Sequence, residues 1–378
     1  SENSTVAGTL EKYVKENFKK IDPNNNGFIS KGELDKLIHS PAIKGDEAAM
    51  IIGLRRGIES LEEYSNDEWF DENDGITLKD MTKFLEKSQS NPNDPTINTI
   101  VSYYDAAKNR ISDAKPELFA NKTNPLASIN VDNIKQGTIG DCFFISAVAG
   151  VAARNPQEIK DMIKDNSDGT YTVKFPGANK PITVKAPTDG EIGMYATTGQ
   201  DGMWLTLMEK AYAELRNSTA TTYNHDNPHQ AIDGGDFQDS SIKLLTAHKV
   251  DTDFLPLTSK DSMKSKLMKA LNPEDGIKRL VTASTFMDGD DKKNLATNHV
   301  YTILSYDPKT ETVRVRNPWG GNNDATNIKN NDGKDDATFT LTIDELDEHF
   351  NLLAFEGNQP ITNYDHLDAR YLYKFNPF

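Results

Sequence analysis

At 378 residues, with 36% hydrophobic and 26% charged residues, the chain has the composition of a globular protein of two or three domains. Its 58 acidic against 42 basic residues, a formal net charge of −16, argue against nucleic-acid binding, which needs a basic face, and are compatible with bound divalent cations. The longest apolar run, about residues 143–153, falls short of the ~18–20 residues that span a bilayer. No basic-then-apolar leader opens the chain, and its 1 cysteine permits no intrachain disulfide.

In chain order, Thr5–Lys20 places Leu10, Val14 and Phe18 four apart, on one face of a helix. Next comes DPNNNGFISKGE, Asp22 to Glu33, which fits the twelve-residue EF-hand loop. Asp22, Asn24 and Asn26 take ligand positions one, three and five, and Gly27 makes the turn. The Phe28 carbonyl takes position seven, Ser30 position nine, and Glu33 closes the site with both oxygens. Only Asp22 and Glu33 bring carboxylates, so moderate Ca2+ affinity is expected. Ile51–Leu61 and Met81–Leu85 read as short helices. DENDGITLKD, Asp71 to Asp80, reads as a shortened partner loop, because its Gly75 falls one position late. Residues 1–90 are thus expected to be a helical EF-hand-like region. Residues 91–125 read as a linker or pro-segment with a helix near Ile97–Ile111, after the proline-broken SQSNPNDP.

From Ala127 the pattern changes. Gln136–Gly150 reads QGTIGDCFFISAVAG, a glycine-rich turn that meets a helix-period run stopped by Asn155-Pro156. Thr170–Phe175 and Pro181–Lys185 read as strands. Met203–Leu215 sets Trp204, Leu207, Met208, Ala211 and Leu215 on one helical stripe. After Lys249, strands are expected at Leu280–Phe286, Val300–Tyr306, Thr312–Arg316, Thr338–Thr342 and Tyr371–Phe375. A helical part (126–255) followed by a strand part (256–378) implies an α+β domain with a cleft between two lobes.

The lone thiol raises the chemical question. A thiolate is the reactive form, and a helix N-terminus or a nearby imidazolium lowers the thiol pKa. Cys142 opens a helix, and Gly137 and Gly140 let the preceding backbone turn tightly and bring N–H groups close to a substrate. The Gln136 side-chain amide offers a second donor to a developing oxyanion. Position alone leaves a buried core cysteine open as the alternative. Among 7 histidines His299 stands out, since NHVYTILSYDPKTETVRVRNPWG reads as a β-hairpin turning at Asp307–Thr310. His299 and Asn317 are each nine residues from Pro308, so they are expected to meet at its open end. An amide oxygen on one ring nitrogen would fix the tautomer and aim the other nitrogen outward. Trp319 would cover the pair and exclude water.

These segments together resemble the calpain family of cysteine proteases. QGTIGDCFFISAVAG is similar to its active-site segment, and NHVYTILSYDPKTETVRVRNPWG to its His strand and Asn-Pro-Trp-Gly hairpin. WLTLMEKAYAEL and Gly234-Gly235 also match in family order. The resemblance covers about residues 128–320 and implies a papain-like, two-lobed peptidase core. It implies Cys142 as nucleophile, His299 as general base and acid, Asn317 as orienter, Gln136 with the Cys142 N–H as oxyanion hole, and Trp319 as shield.

The chain departs from the family at Phe143, where a Trp is usual. It also departs at Asn133, which replaces a family acid, and at Gly321–Asp324, where an acidic loop is expected, so the family's core calcium sites are not carried over. No counterpart of the C-terminal C2-like and penta-EF-hand domains of vertebrate members is expected, so the resemblance implies an atypical member. Asp288–Asp291 and Asp332–Asp336 read as solvated acidic turns. The expected function is a calcium-responsive, monomeric thiol protease acting on proteins or peptides, with no nucleic-acid partner and no transmembrane segment. The alternatives are a thiol acyltransferase of transglutaminase or ligase type, or a calcium-binding module on an inactive peptidase fold. The cytoplasm is favoured, with a secreted mature form left open.

Overall fold

A computed structural model describes residues 1–65, 75–219, 227–234, 238–285, 295–321 and 337–362. Four of the first five helices begin where the sequence supplies a side-chain cap. The helices are α1 (Glu2–Ile21), α2 (Lys31–Ile38), α3 (Gly45–Leu61), α4 (Leu78–Ser90) and α5 (Pro95–Asp113). Ser1, Ser30, Thr77 and Asp94 each accept a first-turn N–H of α1, α2, α4 and α5. Such caps are each worth ~1 kcal/mol. α1 buries Ala7, Leu10, Tyr13, Val14 and Ile21, with Phe18 only half-buried. α5 lies inside the span read as linker, yet it packs on α3 through Ile97, Ile100, Val101 and Tyr104. Residues 91–125 are therefore not a connector throughout. The periodic apolar positions of α5 need a partner face, and α3 provides it.

The chain continues through α6 (Cys142–Arg154), α7 (Pro156–Met162) and an antiparallel sheet of β1 (Ile163–Asp165), β2 (Thr170–Val173) and β3 (Ile182–Lys185). Then come α8 (Asp189–Met194), α9 (Trp204–Thr219), α10 (Gln238–Thr246), β4 (His248–Phe254), α11 (Lys260–Leu271), β5 (Val281–Thr285), β6 (His299–Asp307), β7 (Thr312–Arg316), β8 (Thr338–Thr342), α12 (Ile343–His349) and β9 (Leu352–Pro360). The chain divides into two units. The first is Ser1–Ala114 with Pro187–Tyr195, and the second holds Lys115–Ala186 and the described residues from Ala196 onward.

Pro187–Tyr195, read within the helical subdomain 126–255, thus belongs with the N-terminal helices. Its α8 carries a capping box of Thr188 and Glu191. Thr188 Oγ1 donates to the Ile38 carbonyl at 2.6 Å, and Asp189 accepts the Gly45 N–H at 2.7 Å. A Cβ on Gly190 would lie 2.3 Å from the Ile38 carbonyl oxygen, so only glycine permits this approach.

In the second unit a 6-stranded antiparallel sheet runs β4-β9-β5-β6-β7-β8. β4 pairs with β9, so the strand-rich part begins at His248 rather than at residue 256. Val281, Ala283, Tyr301, Ile303, Val313, Val315, Phe339, Leu353 and Phe355 of the sheet bury with Met263 and Leu267 of α11. α6 and α9 are buried nearly all round, because each is enclosed on several sides. The expected strand Tyr371–Phe375 and the acidic turns 288–291 and 332–336 lie outside the described residues, as does all of 321–324 except Gly321.

Candidate active site

α6 is fixed to β6 one turn beyond the cysteine. Ser146 Oγ donates to the Val300 carbonyl at 2.8 Å, and Thr302 Oγ1 donates back to the Ser146 carbonyl at 2.7 Å. This double clamp sets the Cys142 thiol against the Val300 N–H, one residue past His299. Burial pushes the thiol pKa up to about 11, although the N–H groups of Val300, Phe143 and Cys142 itself act to lower it. The helix-end effect read from the sequence is present, and desolvation outweighs it.

The hairpin register differs from the expected one. Thr302 pairs with Arg316, and a bulge falls between Ile303 and Ser305. His299 is three residues before Thr302 and Asn317 one after Arg316, so they form a diagonal pair. A two-residue offset keeps both side chains on one face, whereas a one-residue slip would have separated them. The contact is therefore made, with His299 Nε2 2.9 Å from Asn317 Oδ1. Trp319 N–H also donates to Asn317 Oδ1 at 3.1 Å. That second donor requires an oxygen at this position, so Nε2 carries the proton and Nδ1 is the basic nitrogen. The pair is buried, with Asn317 at 0% and His299 at 4% exposure. Trp319, 45% exposed, lies tilted over the imidazole at 4.5 Å between ring centroids.

Gln136 stands beside the same turn, its N–H donating to the Pro318 carbonyl at 2.8 Å. Arg316, fully buried, donates to the Ile134 carbonyl at 2.7 Å. Gly320, at φ +81°, leaves no room for a Cβ, which would meet Lys135 Cγ at 2.5 Å. The Gln136 side-chain amide donates to Ile139 O at 2.8 Å, within its own turn. Gly140 N–H donates to Asp233 at 2.7 Å, and a Cβ on Gly140 would lie 3.1 Å from the Gly234 nitrogen. Two further groups at this site, Asp141 and Glu209, carry no role that the sequence alone suggests, and both are at 0% exposure. A charged residue inside the apolar run of α9 was the available signal.

In the first unit, residues 22–33 form a loop whose side chains turn inward. Asp22 accepts the N–H groups of Asn26 and Gly27, Asn24 accepts that of Asn26, and Asn26 accepts that of Phe28. Gly27 has φ +88°. Asn24 Nδ2 donates to Glu33 Oε1 at 3.1 Å, while Glu33 Oε2 is buried without a hydrogen-bond partner. Ser30 caps α2 by accepting the Glu33 N–H. Burial, with Asp22 nearby, raises the Glu33 pKa. An all-oxygen donor set around an orphaned carboxylate oxygen fits a hard cation such as Ca2+. Among the described residues no group of three or more His, Cys, Asp or Glu could hold a metal, in keeping with a loop that offers two carboxylates and otherwise amides, a hydroxyl and a carbonyl. Ile29 pairs with Ile76 through two backbone hydrogen bonds, which joins this loop to the described part of the 71–80 segment. Asp80 is a cap there, its oxygens taken by the Thr77 and Ser65 N–H groups and the Ser65 hydroxyl.

The thiol-bearing helix is thus clamped to β6, which carries His299, and Asn317, just after β7, lies against the imidazole. Residues 95–351 match the calpain family cysteine proteases, and the chain belongs to that family. The match begins at α5, within the span read as linker. The chain is 26% identical over 232 residues to the calpain-type cysteine protease DEK1 of Zea mays, covering 57% of this chain and 10% of that protein. It is 23% identical over 265 residues to calpain-13 of Rattus norvegicus, covering 61% of this chain and 38% of that protein. Calpain-B of Drosophila melanogaster is 23% identical over 221 residues, 51% of this chain and 22% of that protein. The chain thus spans well under half the length of these relatives. No helix among the described residues is long and apolar enough to cross a membrane.

Proposed function

We propose that the chain is a calcium-responsive endopeptidase using Cys142, His299 and Asn317. His299 Nδ1 removes the Cys142 proton, and the thiolate attacks a peptide carbonyl. The imidazolium returns the proton to the leaving amine, and water then releases the acyl group from sulfur. Asn317 holds the imidazole tautomer and Trp319 keeps water from it. The Gln136 amide, once released from Ile139, joins the Cys142 N–H in receiving the oxyanion. The observation that carries this reading is the buried hydrogen bond from His299, on the strand to which the cysteine helix is clamped, to Asn317 at the end of the neighbouring strand.

Calcium, bound at residues 22–33, would supply a fixed positive charge that sets the angle of the flanking helices. Asp22, Asn24, Asn26, the Phe28 carbonyl, Ser30 and Glu33 would hold it. The orphaned Glu33 Oε2 supports this assignment. The C-terminus of α2 offers a route onward, since Ile38 holds Thr188 and His39 Nδ1 lies 2.9 Å from Glu191. α8 runs on through Tyr195 to Thr197, which pairs with Lys135 next to Gln136. Cys142→Ala should abolish casein cleavage and epoxysuccinyl labelling, and residual turnover would refute the nucleophile. A calcium titration of peptidase activity on the intact chain tests the regulatory half.

A further inference from the structure

The side chain of Asp141, the residue before the cysteine, is fully buried and makes no cap to its own helix. Neither carboxylate oxygen meets an N–H or hydroxyl donor. The carboxyl of Glu209 on α9, also fully buried, lies beside it. Two carboxylates buried side by side repel, and with no N–H or hydroxyl donor at Asp141 a proton between the two carboxyls is what makes the arrangement stable. Glu209 in turn accepts the Ala196 N–H at 3.1 Å, and Thr206 of the same helix donates to the Ala196 carbonyl at 2.7 Å. Ala196 precedes Thr197, which pairs with Lys135, the neighbour of Gln136.

We infer that Asp141 and Glu209 share one proton and act together as a positioning pair, joining the start of the cysteine helix to the segment that carries Gln136. The pair fixes the sulfur relative to the proposed oxyanion donors without touching substrate. The ionisable groups around Asp141 are Glu209, Cys142 and Asp233, with buried His229 on the turn whose carbonyl accepts the Asp233 N–H. Burial first, then the negative charge of Glu209, holds the Asp141 proton on well above the ordinary carboxylate range. This inference rests on the peptidase reading only for its kinetic part.

The test has two arms. The double variant Asp141→Asn/Glu209→Gln keeps an amide–amide hydrogen bond and removes both titrating groups. As pH rises above the ordinary carboxylate range, wild type should lose about tenfold in its folding constant per pH unit relative to this variant, because the folded pair retains one proton that the unfolded chain releases, until the pair itself gives that proton up. A flat difference, or a hundredfold loss per unit, overturns the shared proton whether or not any peptide is cleaved. In the second arm Glu209→Asp opens the pair by one methylene, and the reciprocal swap Asp141→Glu/Glu209→Asp closes it again. The single change should lower kcat by about 10- to 100-fold with KM unchanged, as expected for a misplaced reacting group, and the swap should restore most of it. Additive losses in the swap, or a rise in KM alone, overturn the positioning role.

Discussion

His299 donates its Nε2–H to Asn317 Oδ1 at 2.9 Å, and the Trp319 N–H donates to the same oxygen at 3.1 Å. One acceptor thereby holds both the proposed base and its proposed shield. Replacing Asn317 by Ala frees the ring to rotate and leaves the Trp319 N–H unpaired. Expected is a fall in kcat of about 10- to 100-fold with little change in KM, measured on a peptide substrate. An unchanged kcat would remove Asn317 from the proposed triad.

The buried thiol makes a second prediction. With its pKa pushed up to about 11, Cys142 holds only ~10⁻⁴ of its population as thiolate at pH 7. In the calcium-free chain, iodoacetamide labelling should be slow at neutral pH and rise about tenfold per pH unit through pH 9. A labelling rate already on plateau at pH 7 contradicts this resting state.

Glu33 decides the metal loop. Calcium at a hundred times its dissociation constant should add about 2.7 kcal/mol to the stability of the first unit, read as a shift in thermal unfolding. Glu33→Gln should abolish that shift. Without calcium, the raised Glu33 pKa means the folded loop favours the proton. This group's stability contribution is thus greatest at low pH and falls as pH rises from its unfolded pKa through the folded one. The Gln variant should lose that part of the pH dependence.

Thr188 tests the route from the loop towards Gln136. Its hydroxyl donates to the Ile38 carbonyl and accepts the Glu191 N–H. Thr188→Val removes both bonds, at a cost of ~1–2 kcal/mol. Calcium affinity, measured by calorimetry, should stay within about threefold, while the calcium dependence of peptidase activity weakens. Equal activation in both proteins would exclude α8 as the link.

Much of the site was legible because its signals are local. A glycine turn into an apolar run specifies a helix with its thiol at the start, and alternation around Asp307–Thr310 specifies a hairpin. The registration of that hairpin was not legible, since the bulge at Ile303/Ser305 depends on what packs against each strand. The role of α5 was missed for a related reason: its apolar face has meaning only once α3 is beside it. Asp141 and Glu209 lie 68 positions apart, and nothing near either one names the other.

The sequence by itself determined which chemical groups exist and where helices, turns and the metal-type loop begin, because caps, glycines and periodicity act over a few residues. Tertiary structure alone decided the protonation of the thiol, the partner of Asp141 and the assignment of Pro187–Tyr195 to the N-terminal helices. Each of these depends on burial and on groups brought together from distant parts of the chain, and dielectric surroundings have no counterpart in residue order.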